Sequence, residues 1–241
     1  MSIENKAEQV RAEWLAINKL NPKEKYKRLK ALSFQLDLSE EVSIEDIELY
    51  TTIINSAKKV SGFPSQLNKK LHQLSYLKLK LLGIELSDLK IILKENFFIN
   101  VDAAAIGIAD QAFLKNETEQ NNEKIKQIIC QGQRLCFSTA SDGTFKVQVR
   151  MVNLEYPVFS EKEKKTLVAY SDILTLEVPT GTLVITDHFS VIPEKIIKVP
   201  QGQYRVSFNL NKQDSYIICL AKINSGNQII KNDTEIPVLE G

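Results

Sequence analysis

Over the first ninety or so positions the apolar residues recur at helical spacing. Ile3, Ala7, Val10, Trp14 and Ile17 step by four and three, which places them on one stripe of an amphipathic helix. Asn21-Pro22 interrupts the stripe, and a second helix follows with Tyr26, Leu29, Leu32 and Leu36 on its apolar side, so the two form a helical hairpin. Ser43 and Asp46 have the spacing of a capping box with Asp in place of Glu. They open a third helix through Ile44, Ile47, Tyr50, Ile54 and Ala57 that Gly62 and Pro64 close. A fourth helix carries Leu67, Leu71, Leu74, Leu77 and Leu81 to Gly83, a left-handed C-cap, and Ser87 is expected to cap a short fifth.

Past residue 96 the period falls to two, and Gly, Pro, Asn and Asp separate runs rich in β-branched and aromatic residues. Phe145, Val147, Val149 and Met151 alternate with Lys146, Gln148 and Arg150, the pattern of a strand with one buried face. Asp142-Gly143 just before it reads as a hairpin turn. The expected fold class is α+β, with a helical bundle over 1–96 and an all-β, sandwich-like or barrel-like domain over 97–241.

That β domain reads as two similar units, about 97–153 and 172–225. Val101 to Asp110 lies over Val178 to Asp187, with matched apolar positions and a terminal Asp in both. Glu123-Lys124-Ile125 and Gln131-Gly132-Gln133 match Glu194-Lys195-Ile196 and Gln201-Gly202-Gln203, and Phe145 to Asn153 then overlies Tyr216 to Asn224. The first copy has the longer connection, at Lys115 to Gln120, and Glu155 to Ser171 is the expected linker between copies. The second copy, with Gly181-Thr-Leu-Val-Ile-Thr-Asp187 and Val199-Pro-Gln-Gly-Gln-Tyr-Arg-Val206, resembles a β unit of bacterial proteins of unknown function, some associated with toxin-immunity loci. The resemblance spans about 175–225, rests mostly on turn residues and carries over no active site; it implies a role in protein binding.

Composition narrows the classes further. The 241 residues are 43% hydrophobic and 25% charged, as in globular chains, and a net charge of +1 provides no whole-molecule field for nucleic acid. Three cysteines are too few for a disulfide framework and fit a reducing, cytoplasmic setting. The charged opening lacks the apolar centre of a signal peptide, and no run of about eighteen apolar residues suggests a membrane partner. Asn116 and Asn232, each in Asn-x-Thr, are therefore read as incidental.

Candidate chemistry is sparse. Cys130, Cys136 and Cys219 could be nucleophiles only beside a base, and His72 and His188 are the only histidines. Asp187-His188 with Cys219 has the residue types of a Cys-His-Asp set, but neighbours at a strand end point to opposite sides, so Asp110 and Asp187 read first as turn-forming residues. Neither metal-ligand spacing nor a phosphate-binding glycine motif occurs, so no metal and no cofactor is expected. Lys58, Lys59, Lys69, Lys70, His72, Lys78 and Lys80, with Tyr76 for stacking, form a candidate nucleic-acid face, although a solvated flank beside the leucine stripe explains the same residues.

The reading that results is a non-catalytic protein-binding protein, an immunity or adaptor factor whose partner is another protein such as a toxin or effector. Its expected binding residues are Asp110, Asp187 and His188 and, in the Asn153–Tyr170 connection, Lys162, Lys164 and Lys165; the Asp187–Lys195 connection is the second loop of interest. The rival is an enzyme with a pocket between the two β units, where Asp110, Asp187 and His188 converge about a pseudo-twofold axis.

Overall fold

Reciprocal capping starts the helices where the sequence places them. In the computed structural model, which describes residues 3–36, 38, 42–58, 64–114, 127–129, 131–139, 141–188 and 190–224, four helices fill the first of two units, Met1–Asp88. They are α1 (Ile3–Ile17), α2 (Pro22–Gln35), α3 (Ile44–Lys58) and α4 (Pro64–Leu81). The Asn21 side chain accepts from the Glu24 backbone N–H at the start of α2. At α3 the Ser43 hydroxyl accepts from the Asp46 N–H while the Asp46 carboxylate accepts from the Ser43 N–H, so the shorter acid completes the box. The core joins Ile17, Leu29, Leu32, Leu36, Ile47, Tyr50, Ile54, Ala57, Leu67, Leu71 and Leu74.

Some helical expectations change. Tyr26 and Leu81 are exposed, and α4 buries a second row through Asn68, His72, Ser75 and Leu79. A single 3₁₀ turn at Leu86–Asp88 replaces the fifth helix, and strand begins at Ile91 rather than near 97, because Leu93 to Val101 pair with Met151 to Gly143. Gly62, Lys59, Lys115 to Gln120, Glu123 to Ile125, Cys130, Asn116 and Asn232 lie outside the described residues.

The second unit, Leu89–Gly241, is a two-sheet sandwich. Its strands are β1 (Ile91–Val101), β2 (Ala105–Asp110), β3 (Arg134–Ser138), β4 (Gly143–Val152), β5 (Leu167–Val178), β6 (Thr182–Asp187), β7 (Lys195–Lys198), β8 (Gly202–Asn211) and β9 (Ser215–Lys222). One sheet has the order β1-β4-β9-β8-β5 and the other β3-β2-β6-β7. Alternate residues of both, among them Ile108, Phe137, Val147, Val149, Leu176, Ile185, Val206, Phe208 and Ile218, meet in one core. Asp142-Gly143 is not a hairpin turn: β3 and β4 belong to different sheets, so the chain crosses between layers there.

Strand direction corrects the expected duplication. β2 and β6 pair antiparallel with Ile108 opposite Ile185, residues that the first part of the match makes equivalent, and β1 and β5 occupy the two edges of the larger sheet. If the two stretches are repeats, a twofold axis through that Ile pair exchanges β2 with β6. Such an axis reverses strand direction, yet β4 and β9 run parallel, so they are not equivalents. The strand orders and directions are compatible with exchanging β3 with β7, β1 with β5 and β4 with β8, with β9 at the centre of the larger sheet. The shared Gln-Gly-Gln reflects turn chemistry rather than equivalent positions.

Candidate protein-binding face

On the outer side of the smaller sheet, β3 and β6 flank Gly107 on β2, with Cys136 and Thr186 opposite it. The chain after β6 folds back over this glycine. His188 is left-handed at φ 42°, its N–H donates to the Ala105 carbonyl, and its own carbonyl accepts from Thr186 Oγ1 and from Arg134 Nη2. Arg134 also donates to the Ser190 carbonyl, so one buried guanidinium holds the His188 and Ser190 carbonyls to the sheet. A Cβ at Gly107 would lie 2.0 Å from the His188 carbonyl oxygen and 2.5 Å from Thr186 Oγ1, so only glycine allows this approach.

The electrostatics of this cluster are those of a structural latch. Burial pushes the Cys136 thiol up to about 12, the Arg134 cation only partly opposing it, so the sulfur stays a protonated, unreactive thiol. Burial lowers the His188 imidazole, Asp187 pulls it back up and Arg134 adds to the lowering. Cys219, the thiol weighed for a Cys-His-Asp set with Asp187 and His188, lies on the outer face of the larger sheet with Arg150 and Phe159, so no such set is assembled with it.

Asp110 is fully buried. Its carboxylate accepts from the Ala112 N–H, the Thr180 N–H and the Thr180 hydroxyl, closing the strand as an Asx turn and tying β2 to the β5–β6 turn. Asp187 stands at the equivalent end of β6, where the counterpart of Thr180 is Ala103, and its buried Oδ1 has no hydrogen-bond partner. The expected convergence of the two acids about the axis does not occur. Asp110 pairs with Leu183 and Asp187 with Ile106, which sets them at opposite ends of the ladder, roughly 13 Å apart at about 3.3 Å per residue.

The 153–166 segment is no free linker. Val158 and Phe159 are buried against the larger sheet, Arg150 lies 3.9 Å from the Phe159 ring centroid and donates to the Val158 carbonyl and to Glu163, and Arg205 donates to the Glu155 carbonyl from above the Tyr156 ring. Burial alone would raise the Glu163 carboxyl, but Arg150 and the Ser160 hydrogen bonds hold it below its ordinary value. The short helix Glu161–Lys164 carries Lys162 outward and Lys164 in an ion pair with Glu161, with exposed Lys165 just after it.

The basic helical face is largely used within its own unit. Lys70 donates to the carbonyls of Ser33, Phe34 and Leu36 at the end of α2, His72 is buried, and Lys78 pairs with Glu48. Among the described residues no three His, Cys, Asp or Glu side chains gather to hold a metal, and no helix is long and apolar enough to cross a membrane.

Exposed apolar side chains of the β unit concentrate elsewhere. Phe98 is 70% exposed and Ile92 56% on β1; Ile192 is 69% exposed before β7 and Ile196 50% on it. Lys195 joins the two strands, pairing with Glu95 at 3.5 Å and lying 5.7 Å from the Phe97 ring centroid. Phe98 was legible in the Phe97-Phe98 doublet, because adjacent strand residues face opposite ways and only one of the two can enter the core. Arg134, Arg150 and Arg205 had no comparable signal.

No family model matches the chain, and no curated protein matches it. Two solved structures are similar to part of it. One, described as crocagin biosynthetic gene J, is 17% identical with a TM-score of 0.43, covering 55% of this chain and 100% of its own. The other is ComJ from Bacillus subtilis, an inhibitor of the DNA-degrading activity of NucA; it is 11% identical with a TM-score of 0.38, covering 56% of this chain and 98% of its own.

Proposed function

We propose that the chain is a non-catalytic protein-binding protein of the immunity or adaptor kind, masking a partner protein such as a toxin or effector through the β1 edge of its β unit. The observation that carries this reading is the exposure of Phe98 and Ile92 on the edge strand β1, while the Asp110 carboxylate and the Arg134 guanidinium hold backbone in place. An aromatic anchor among aliphatic side chains is the usual centre of a protein interface, and flanking charge speeds encounter. Lys162, Lys164 and Lys165 form a second candidate contact.

Affinity capture from the native host with four forms of the protein tests this: wild type, Phe98→Glu, the triple Lys162/Lys164/Lys165→Ala variant, and Asp187→Asn with His188→Asn. A stoichiometric protein partner that survives high salt, is lost with Phe98→Glu and is retained by the Asp187/His188 variant is the expected outcome. Loss of function in the Asp187/His188 variant while it remains folded would instead favour an enzyme.

A further inference from the structure

Among the described residues the unit has four sheet edges, and they are not alike. β3 and β7 span five and four residues. β5 carries two register shifts, and its Glu177 N–H is already bonded to the Gly132 carbonyl. Short edges and bulges are the means by which sheets discourage the pairing of further strands. β1 has neither over most of its length: it runs for 11 residues, its one irregularity lies between Ile91 and Leu93, and from Leu93 to Val101 its ladder with β4 is continuous. Among the described residues only β4 pairs with it.

On the outward-facing rows of β1 and β4 around Phe98 the charged residues are Lys94, Lys146 and Arg150, with no acid among them. Lys90 and Lys94 lie at or next to the start of β1, Lys146 stands opposite Phe98 on β4, and Lys195 and Lys198 flank from β7. The acids there are Glu95, already paired with Lys195, and Glu194, with Asp102 and Asp142 near the far turn; the Asp142 side chain accepts from the Ala104 N–H. A second copy of β1 would bring the same lysines together. Resting on the protein-binding reading above, we infer that the free edge of β1 accepts an extended, acidic segment of the partner protein as an added strand. Backbone hydrogen bonds supply its affinity, an apolar residue of the segment packs on Phe98, and carboxylates meet Lys94 and Lys146.

Two capped, fluorescent peptides long enough to span β1 serve as probes, one alternating glutamate with valine and the other lysine with valine. Fluorescence anisotropy follows binding to the full chain at low and high salt, and amide exchange follows β1. The acidic peptide is expected to bind at least roughly tenfold tighter than the basic one, to weaken with salt, and to slow exchange at alternate β1 amides. Lys94→Glu with Lys146→Glu should weaken it by roughly tenfold while the thermal transition stays in place. Equal binding of both peptides, binding without β1 protection, concentration-dependent dimerisation through β1, or β1 protection by the chain's own residues 225–241 would each overturn the inference. If capture of a protein partner still depends on Phe98 while the acidic peptide fails, the binding face stands and strand addition falls.

Discussion

Supplying Asp187 with the partner that Asp110 possesses is the most direct test of whether the β1–β2 and β5–β6 turns are equivalent. Thr180 Oγ1 lies 2.8 and 2.7 Å from the two Asp110 oxygens, and its N–H donates at 3.1 Å. At the equivalent turn the side chain is a methyl group, on Ala103, and Asp187 Oδ1 is buried without a partner. A hydrogen bond to a carboxylate contributes about 1.5–3 kcal/mol, and ordering an exposed threonine offsets about 0.5–1 kcal/mol of it. Ala103→Thr should therefore stabilise the β unit by about 1 kcal/mol, or about 2–4 °C in Tm for a unit of this size. Because the two units need not melt together, urea titration followed by amide exchange in β2 and β6 is the appropriate assay. The single tryptophan, Trp14, reports the helical unit and should show an unchanged transition. Thr180→Ala is the matched control and should destabilise by a similar amount. An unchanged or lowered β2/β6 stability in Ala103→Thr, with Thr180→Ala destabilising as expected, would refute the equivalence of the two turns.

Three other outcomes follow from the latch and the buried ion pair. Gly107→Ala should destabilise by about 1–3 kcal/mol and free the 188–194 segment, measurable as faster proteolysis there, because its Cβ collides with the His188 carbonyl. The imidazole of His188 is depressed below its ordinary value of 6.5, so the unfolded chain binds the proton first: stability should decline as pH falls below about 6.5 and level off beneath the folded value. His188→Asn, which tolerates the left-handed backbone, should flatten that part of a pH series of urea midpoints. Arg150→Met should leave the larger sheet intact but loosen the 153–166 cover, so that Cys219, whose thiol burial pushes up, becomes alkylated under native conditions when followed by peptide mass mapping.

Periodicity alone specified the four long helices and the strand through Phe145 to Met151, since a face that must leave water imposes its spacing on any chain that folds. The capping pair Ser43 and Asp46, the inward row Phe145 to Met151 and the turn role of Asp110 were all readable for that reason: each depends on residues close in sequence. Which strands neighbour one another was not readable. Ile91 to Asn96 became strand only through pairing with residues near 150, and β4 and β9, which the sequence match overlies, run side by side in parallel. The placement of Arg134 over Gly107, of Arg150 beneath Phe159, and of Phe98 in an exposed position on β1 likewise depends on distant segments meeting. Local chemistry determined the elements of this protein, whereas only the tertiary structure decided which polar groups became struts and which apolar ones remained outside, because burial belongs to the assembled layers and not to any single stretch of chain.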